Sequence, residues 1–195
     1  MADEVVEKFR PTGGRILGVL ALLMVAAVVV IDLVDREHPF PPEVVWGSLF
    51  FGSLVWAAML RPRLWVTTSD LVMRNMASTV RIPLAAIEQI AVRQVVVVRA
   101  GEGRYVSPAV GKSWRQTAFN RSGRGEPKPG AATPYPDFVD DRLHEVTEEA
   151  RARAGITLLS DEQLALAAGV RREWAWLEIA LMVGTGLGFV LSFLV

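Results

Sequence analysis

Three stretches of this chain run almost without charge over lengths comparable to a bilayer, and that blocked distribution constrains the fold more than any other feature. The first, Ile16 to Val34, carries one acid, Asp32, and at about 1.5 Å per residue it matches a hydrocarbon core of ~30 Å. It reads as a membrane helix. A secretory signal peptide is the rival reading because Lys8, Arg10 and Arg15 precede the block. The apolar run is too long for a signal core, however, and no small-x-small cleavage pattern comes after it. The second block, Val44 to Leu60, is seventeen residues long and comes after Pro39, Pro41 and Pro42, which break any continuous helix. The two blocks together read as a helical hairpin. Trp46 and Trp56 lie near the ends of the second, where indole rings suit a membrane interface. The third block, Trp174 to Val195, contains Glu178 and enters behind Arg171, Arg172, Trp174 and Trp176, a cationic and aromatic collar of the kind found at headgroup level.

Orientation is set by the basic residues beside the spans. Lys8, Arg10 and Arg15 precede the first, Arg61 and Arg63 come after the second, and Arg171 and Arg172 precede the third, whereas the hairpin turn has only Arg36 beside Asp35, Glu37 and Glu43. By the positive-inside rule the N-terminal residues 1–15 and residues 61–173 are expected in the cytoplasm, and the hairpin turn and C-terminus outside, in a cell (plasma) membrane.

Apolar residues make up 51% of the chain and charged residues 22%, which a soluble protein could equal, so it is the blocking that decides the class. The formal net charge of zero provides no global field to recruit nucleic acid. With no cysteine, disulfides, thiolate nucleophiles and Cys-ligated metals are excluded. His38 and His144 are the only two histidines and no carboxylate cluster accompanies them, so no metal and no cofactor is expected.

Between the second and third blocks the pattern changes. Leu64–Thr68, Leu71–Asn75, Thr79–Ile82, Ile87–Arg99 and Arg104–Val106 are short runs rich in β-formers, with turns expected at Ser69-Asp70 and Gly101-Glu102-Gly103. Val95 to Val98 is apolar on both faces and needs a covering layer. Residues 111–136 are basic and rich in Gly, Ser and Pro. There Lys112, Trp114, Arg115, Phe119, Arg121 and Arg124 are the candidate contact residues, either for anionic lipid headgroups or for a protein partner. A solvated loop whose charge merely enforces topology is the bland alternative. A helix capped by Asp137 comes next, with Val139, Leu143, Val146 and Ala150 as its apolar stripe and Gly155 as its stop. A second helix is expected at the Ser160-Asp161-Glu162-Gln163 capping box, leading toward the last block with a bend at Gly169. His144, one position off the stripe, reads as an ordinary partly exposed side chain.

Two spans, then Arg61-Pro62-Arg63, a strand, Leu71-Val-Met-Arg-Asn75, and Ile82-Pro-Leu-Ala-Ala-Ile87 leading into a Val-rich strand: this order resembles actinobacterial membrane proteins with a bacterial PH-like domain, in particular the low-molecular-weight protein antigen PH-like family. The resemblance covers roughly residues 16–110. It implies antiparallel strands with a helix near the C-terminal end of the domain, and no enzyme. The chain departs from that pattern at residues 111–136 and in its third apolar block, and the resemblance transfers no ligand residues.

Gly111-Lys112-Ser113 has the tail of a phosphate-binding loop, but Val106 stands where the leading glycine belongs. Asn120-Arg121-Ser122 has glycosylation spacing in a segment expected to be cytoplasmic. In the third block Gly184 and Gly188 lie one helical turn apart and suit close helix packing, with Ser48 and Gly52 of the second block as a matching small face. The partner of that face is the hairpin of the same chain, a second copy or another membrane protein. Asp32 and Glu178 lie near span ends, where headgroups or water would satisfy them.

Together the residues describe a membrane protein of the α+β class. It has a transmembrane helical hairpin (16–60), a small antiparallel PH-like β domain (61–110), a basic loop (111–136), cytoplasmic helices (137–170) and a C-terminal transmembrane helix (171–195). The function expected is non-catalytic: a cytoplasmic PH-like domain for interaction with a protein or the membrane surface, such as an accessory subunit of a membrane complex would need. A small membrane enzyme or transporter component is the alternative, and it would require a polar cluster facing one cavity at bilayer level. The sequence shows isolated acids.

Overall fold

Alternating burial marks most of the strands in residues 63–107, although Leu71, Val72 and Met73 are buried in succession. Along the run from Val96 to Ala100, Val96, Val98 and Ala100 are buried while Val97 and Arg99 face outward, the period of a strand with one wet face. The computed structural model describes residues 4–12, 14–112 and 134–194 of this α+β chain. It divides into two compact units, one holding the described parts of Met1–Gly13, Arg63–Asn75 and Thr79–Glu173, the other Gly14–Pro62, Met76–Ser78 and Trp174–Val195.

The first unit is built of two sheets. β1 (Val5–Phe9), β2 (Arg63–Thr67), β3 (Asp70–Arg74), β4 (Ser78–Pro83) and β8 (Arg171–Trp174) form a five-stranded sheet in the order β1-β2-β3-β4-β8. β5 (Gln89–Val92), β6 (Val96–Ala100) and β7 (Gly103–Ser107) form a three-stranded one. The pairs β1/β2, β2/β3, β3/β4, β5/β6 and β6/β7 are all antiparallel. Leu64, Val66, Leu71, Met73, Val80 and Ile82 from the larger sheet share one core with Ile90, Val92, Val96 and Val98 from the smaller. The helix α3 (Tyr135–Ala154) completes that core with Val139, Leu143 and Val146. The layer that the valine run required is therefore this core on one face.

The helix stripe lies where its spacing predicts, but the cap differs. Pro134 holds the N-cap position and Asp137 sits inside the first turn, where its charge still complements the positive helix end. Gly155 closes α3 at φ 67°, a left-handed conformation that a side chain would strain. Ser160 caps the short α4 (Asp161–Ala167) by accepting from the Gln163 N–H at 3.2 Å, as the capping box predicts.

Three segments differ from expectation, the first being the run Ile87–Arg99, which a turn at residues 93–95 divides into β5 and β6 so that its two halves pair with each other. Residues 5–9, read as part of a cytoplasmic tail, form the edge strand β1, with Phe9 buried against the core. Glu7 on β1 accepts from Arg142 Nε on α3 at 2.9 Å, and the Arg10 N–H donates to the Tyr135 hydroxyl. Hydrogen bonds donated to Glu7 first, then to Glu145, hold Arg142 still further above its ordinary high range. Residues 171–174, read as the collar of the last span, are the strand β8 and not helix. The extended backbone satisfies the open edge of β4, and Arg81 on β4 pairs with Glu173 at 3.5 Å. The last helix, α5 (Trp176–Leu191), accordingly starts later than Trp174 and has 16 residues.

The second unit is helical: α1 (Arg15–Val34), α2 (Pro42–Val55) continued by a π-helical turn (Trp56–Leu60), and α5. α1 and the stretch Pro42–Leu60 are long and apolar enough to cross a membrane, and α5 is apolar but shorter. Pro42 occupies the first turn of α2, where its missing N–H has no intrahelical partner to lose. In the linker the Asp32 carboxylate accepts from the Phe40 N–H at 2.9 Å, and that of Asp35 from the His38 N–H at 3.2 Å. Asp32 is thus satisfied by the turn it precedes.

Gln163 provides a local test of the sheet unit. Fully buried, it donates from Nε2 to the Ala85 and Ile87 carbonyls at 3.1 and 3.0 Å and accepts the Leu159 N–H at 2.6 Å, tying α4 to the 3-10 turn Leu84–Ala86. Gln163→Leu removes all three bonds in a dry site. It is expected to lower stability by on the order of 3 kcal/mol, read as a lower urea midpoint with unchanged slope.

Candidate functional site

Within the helical unit α2 lies between α1 and α5 and runs antiparallel to both. Gly52 meets Leu22 and Val25 of α1, and Gly18 meets Met59 and Leu60. On the other side Phe50 stacks on Phe189 at 6.4 Å between ring centroids, and Ser53 Oγ lies 3.2 Å from Thr185 Oγ1. Ser53, Ala57 and Arg61 are each buried at intervals of about one helical turn, so they make one seam toward α5.

Arg61 and Glu178 end that seam. Arg61 Nε donates to Glu178 Oε1 at 2.8 Å, and the residues are only 6% and 8% exposed. The π-helical turn ahead of Arg61 closes with its N–H donating to the Trp56 carbonyl at 3.0 Å. A widened turn of this kind admits one extra residue and rotates the helix face beyond it by roughly 100°. The sequence placed Arg61 among headgroup flanks and Glu178 within reach of water. Both are instead buried and spend their charges on each other, as a low dielectric demands. A carboxylate inside one apolar block with an arginine ending another was the available signal.

The small residues are not assembled as one face. Gly188 sits against the Trp46 ring so closely that a Cβ there would overlap it, whereas a Cβ on Gly184 meets nothing within 4 Å. Gly52 faces α1, and the Ser48 hydroxyl donates to the Val45 carbonyl of its own helix at 2.8 Å. The glycines at the α2–α5 contact are Gly47 against Phe189, Gly186 against Phe50, and Gly188 against Trp46.

In the sheet unit Lys112 is the described member of the basic set. Its Nζ pairs with Asp137 Oδ1 at 2.5 Å, and its N–H donates to the Arg93 carbonyl at 2.6 Å. Trp114, Arg115, Phe119, Arg121 and Arg124 lie outside the described residues. The Gly111 N–H donates to Thr12 Oγ1 at 2.8 Å, so an amide that a phosphate loop would use is engaged elsewhere. His144 Nδ1 lies 2.8 Å from the Asp140 carbonyl on its own helix. Among the described residues no group of three or more His, Cys, Asp or Glu is placed to hold a metal ion.

The outer face of the β5-β6-β7 sheet carries a feature that local sequence pattern does not reveal. Gln89, Ala91, Arg93, Val97, Arg99 and Arg104 line a recess of about 360 Å³. Register explains the grouping: Gln89 pairs with Arg99, Arg99 with Arg104, and Ala91 with Val97, so two adjacent cross-strand rows make its wall and floor. The alternation of apolar and basic residues in 89–104 was visible, but the register that brings them together was not.

Two substitution series test the helical seam. Arg61→Met takes the guanidinium from a buried carboxylate and is expected to cost about 3–5 kcal/mol of stability in detergent, while Arg61→Met with Glu178→Met recovers most of it. Gly188→Leu is expected to lower the thermal midpoint through the Trp46 clash, and Gly184→Leu to leave it within about a degree, since surface changes cost little. Comparison with protein-family models, with curated proteins and with solved structures finds no match to this chain.

Proposed function

We propose that the chain is a multi-pass protein of the plasma membrane, N-terminus cytoplasmic and C-terminus external, whose sheet unit is a non-catalytic PH-like module for interaction with a protein or the membrane surface. One observation carries the membrane reading. α1 has 20 residues, apolar nearly all round, yet Gly18 is its only buried residue, while Ile16, Leu17, Leu23, Met24, Leu33 and Val34 are each more than 60% exposed. A core helix of a soluble protein buries its apolar side chains, and a helix that exposes them on every side but the one packed on α2 calls for lipid as its solvent.

The antiparallel course of α1, α2 and α5 supports an odd number of passes, with the chain termini on opposite sides. The short α5 spans about 24 Å, which a bilayer accommodates by local thinning at modest cost. The PH-like reading is supported by two antiparallel sheets sharing a core with one long helix, α3, that comes after the strands β1–β7. A module of this kind held by membrane helices works at short range, so its partners are the inner leaflet, other membrane proteins or a second copy.

Alkaline carbonate extraction is expected to leave the full chain in the membrane pellet; its release into the supernatant would contradict the proposal. Alkaline phosphatase fused after Val195 is expected to be active and the same reporter inserted after Gly125 inactive, as the positive-inside bias requires.

A further inference from the structure

We infer that the recess on the outer face of the β5-β6-β7 sheet is a binding site for a phosphate-bearing ligand, gripped by Arg93, Arg99 and Arg104. The inference deepens the proposed function by giving the module a ligand, and it rests on that reading for a membrane source of the phosphate.

Arg99 and Arg104 stand directly opposite each other on neighbouring strands, and like charges in that relation destabilise a sheet. Arg93 adds a third cation to the same recess. In the same unit Arg81 pairs with Glu173, Lys112 with Asp137, and Arg142 with Glu7 and Glu145. Among the described residues none of the three recess arginines forms an ion pair or side-chain hydrogen bond, and all three are exposed. Neither nearby acid serves them: Glu88 Oε1 accepts the Gly101 N–H at 2.7 Å, and Glu102 pairs with none of the three.

The donors decide the chemistry of the counter-charge that suits them. A carboxylate has two oxygens and is satisfied by one guanidinium fork, whereas a phosphate monoester has three terminal oxygens and a charge near two, and can accept forks from several sides. Gln89 adds an amide for a neighbouring hydroxyl, and Ala91 and Val97 give the recess an apolar floor. A volume of about 360 Å³ suits a headgroup-sized molecule and is near the lower end of the small-ligand range of roughly 300–1,000 Å³. A lipid headgroup and a soluble phosphate ester are both sources of such a phosphate, since they present the same terminal oxygens.

Calorimetric titration of the full chain in neutral detergent separates the sources, with glycerol 3-phosphate as one probe and short-chain phosphatidic acid as the other. At least one probe is expected to bind, with affinity falling as salt rises. Arg99→Gln and Arg104→Gln are each expected to weaken binding about tenfold, and Arg153→Gln, an equal loss of charge on α3, to leave it unchanged. Binding of the lipid probe alone identifies a headgroup site, and binding of glycerol 3-phosphate a site open to soluble esters; either supports the inference. It is overturned if neither probe binds, or if Arg153→Gln weakens binding as much as the recess variants while all melt at the wild-type temperature. Carbonate extraction reads membrane insertion independently, so loss of one conclusion does not mask the other.

Discussion

The pairing of β1 with β2 is the constraint on which the rest of the architecture depends. Phe9 is registered against Leu64, so the chain leaves the sheet at the end of one strand and returns at the start of its neighbour. Everything between those two residues, including α1 and α2, is an insertion into a single antiparallel pair. The β1–β2 ladder then joins the core through Phe9 and reaches α3 through Glu7 and Arg142. A free N-terminal tail would leave the edge of β2 open, and an exposed edge of that kind invites pairing with other chains. β8 does the same for β4 at the opposite side of the sheet. Both edge strands of the larger sheet are thus segments that border apolar helices in the sequence.

The same economy governs the helical unit. A buried charge in an apolar bundle is tolerable only with a partner, and the seam along α2 supplies partners in order: a hydroxyl pair at Ser53 and Thr185, then the Arg61–Glu178 ion pair. Small side chains between them let the helices approach, while Trp46 and Phe189 fill the space over Gly188 and Gly47. Such a seam specifies which helix faces meet, because a rotated α5 would leave Glu178 without its guanidinium. Specificity of register is the best-attested use of buried polar pairs.

Much of the fold was legible in local pattern. The strands β2 and β4 to β7 follow alternation, the α3 stripe follows helical spacing, and the Ser160 cap and Gly155 stop follow known backbone chemistry. By contrast β3 buries Leu71, Val72 and Met73 in succession, and the turn that splits Ile87–Arg99 into β5 and β6 left no Gly or Pro to mark it. The illegible parts depended on contacts distant in sequence. Val5–Phe9 has a single buried side chain and lies beside a basic flank, so its membership of a sheet shows only through its partner β2. Arg171–Trp174 is exposed at every position and carries no inward signal at all. The recess arginines look like ordinary solvated charges until strand register places Arg99 opposite Arg104. Glu178 and Arg61 were each visible, but nothing local paired them across so long a separation.

The inserted position of the hairpin also dictates an order of assembly. During synthesis β1 emerges first, but its only neighbour in the sheet lies beyond both apolar helices, so the ladder cannot close until residues 63–67 have been made. This is a non-local contact of the kind that forms slowly, because a long loop must be closed before any pairing energy is gained. The N-terminal strand therefore waits while the helices it precedes are synthesised. A hairpin that leaves its two ends far apart denies β1 its partner, leaving an exposed β2 edge and an incomplete core. Closure of this sheet accordingly comes late in synthesis, and it requires the two ends of a long inserted segment to stand side by side.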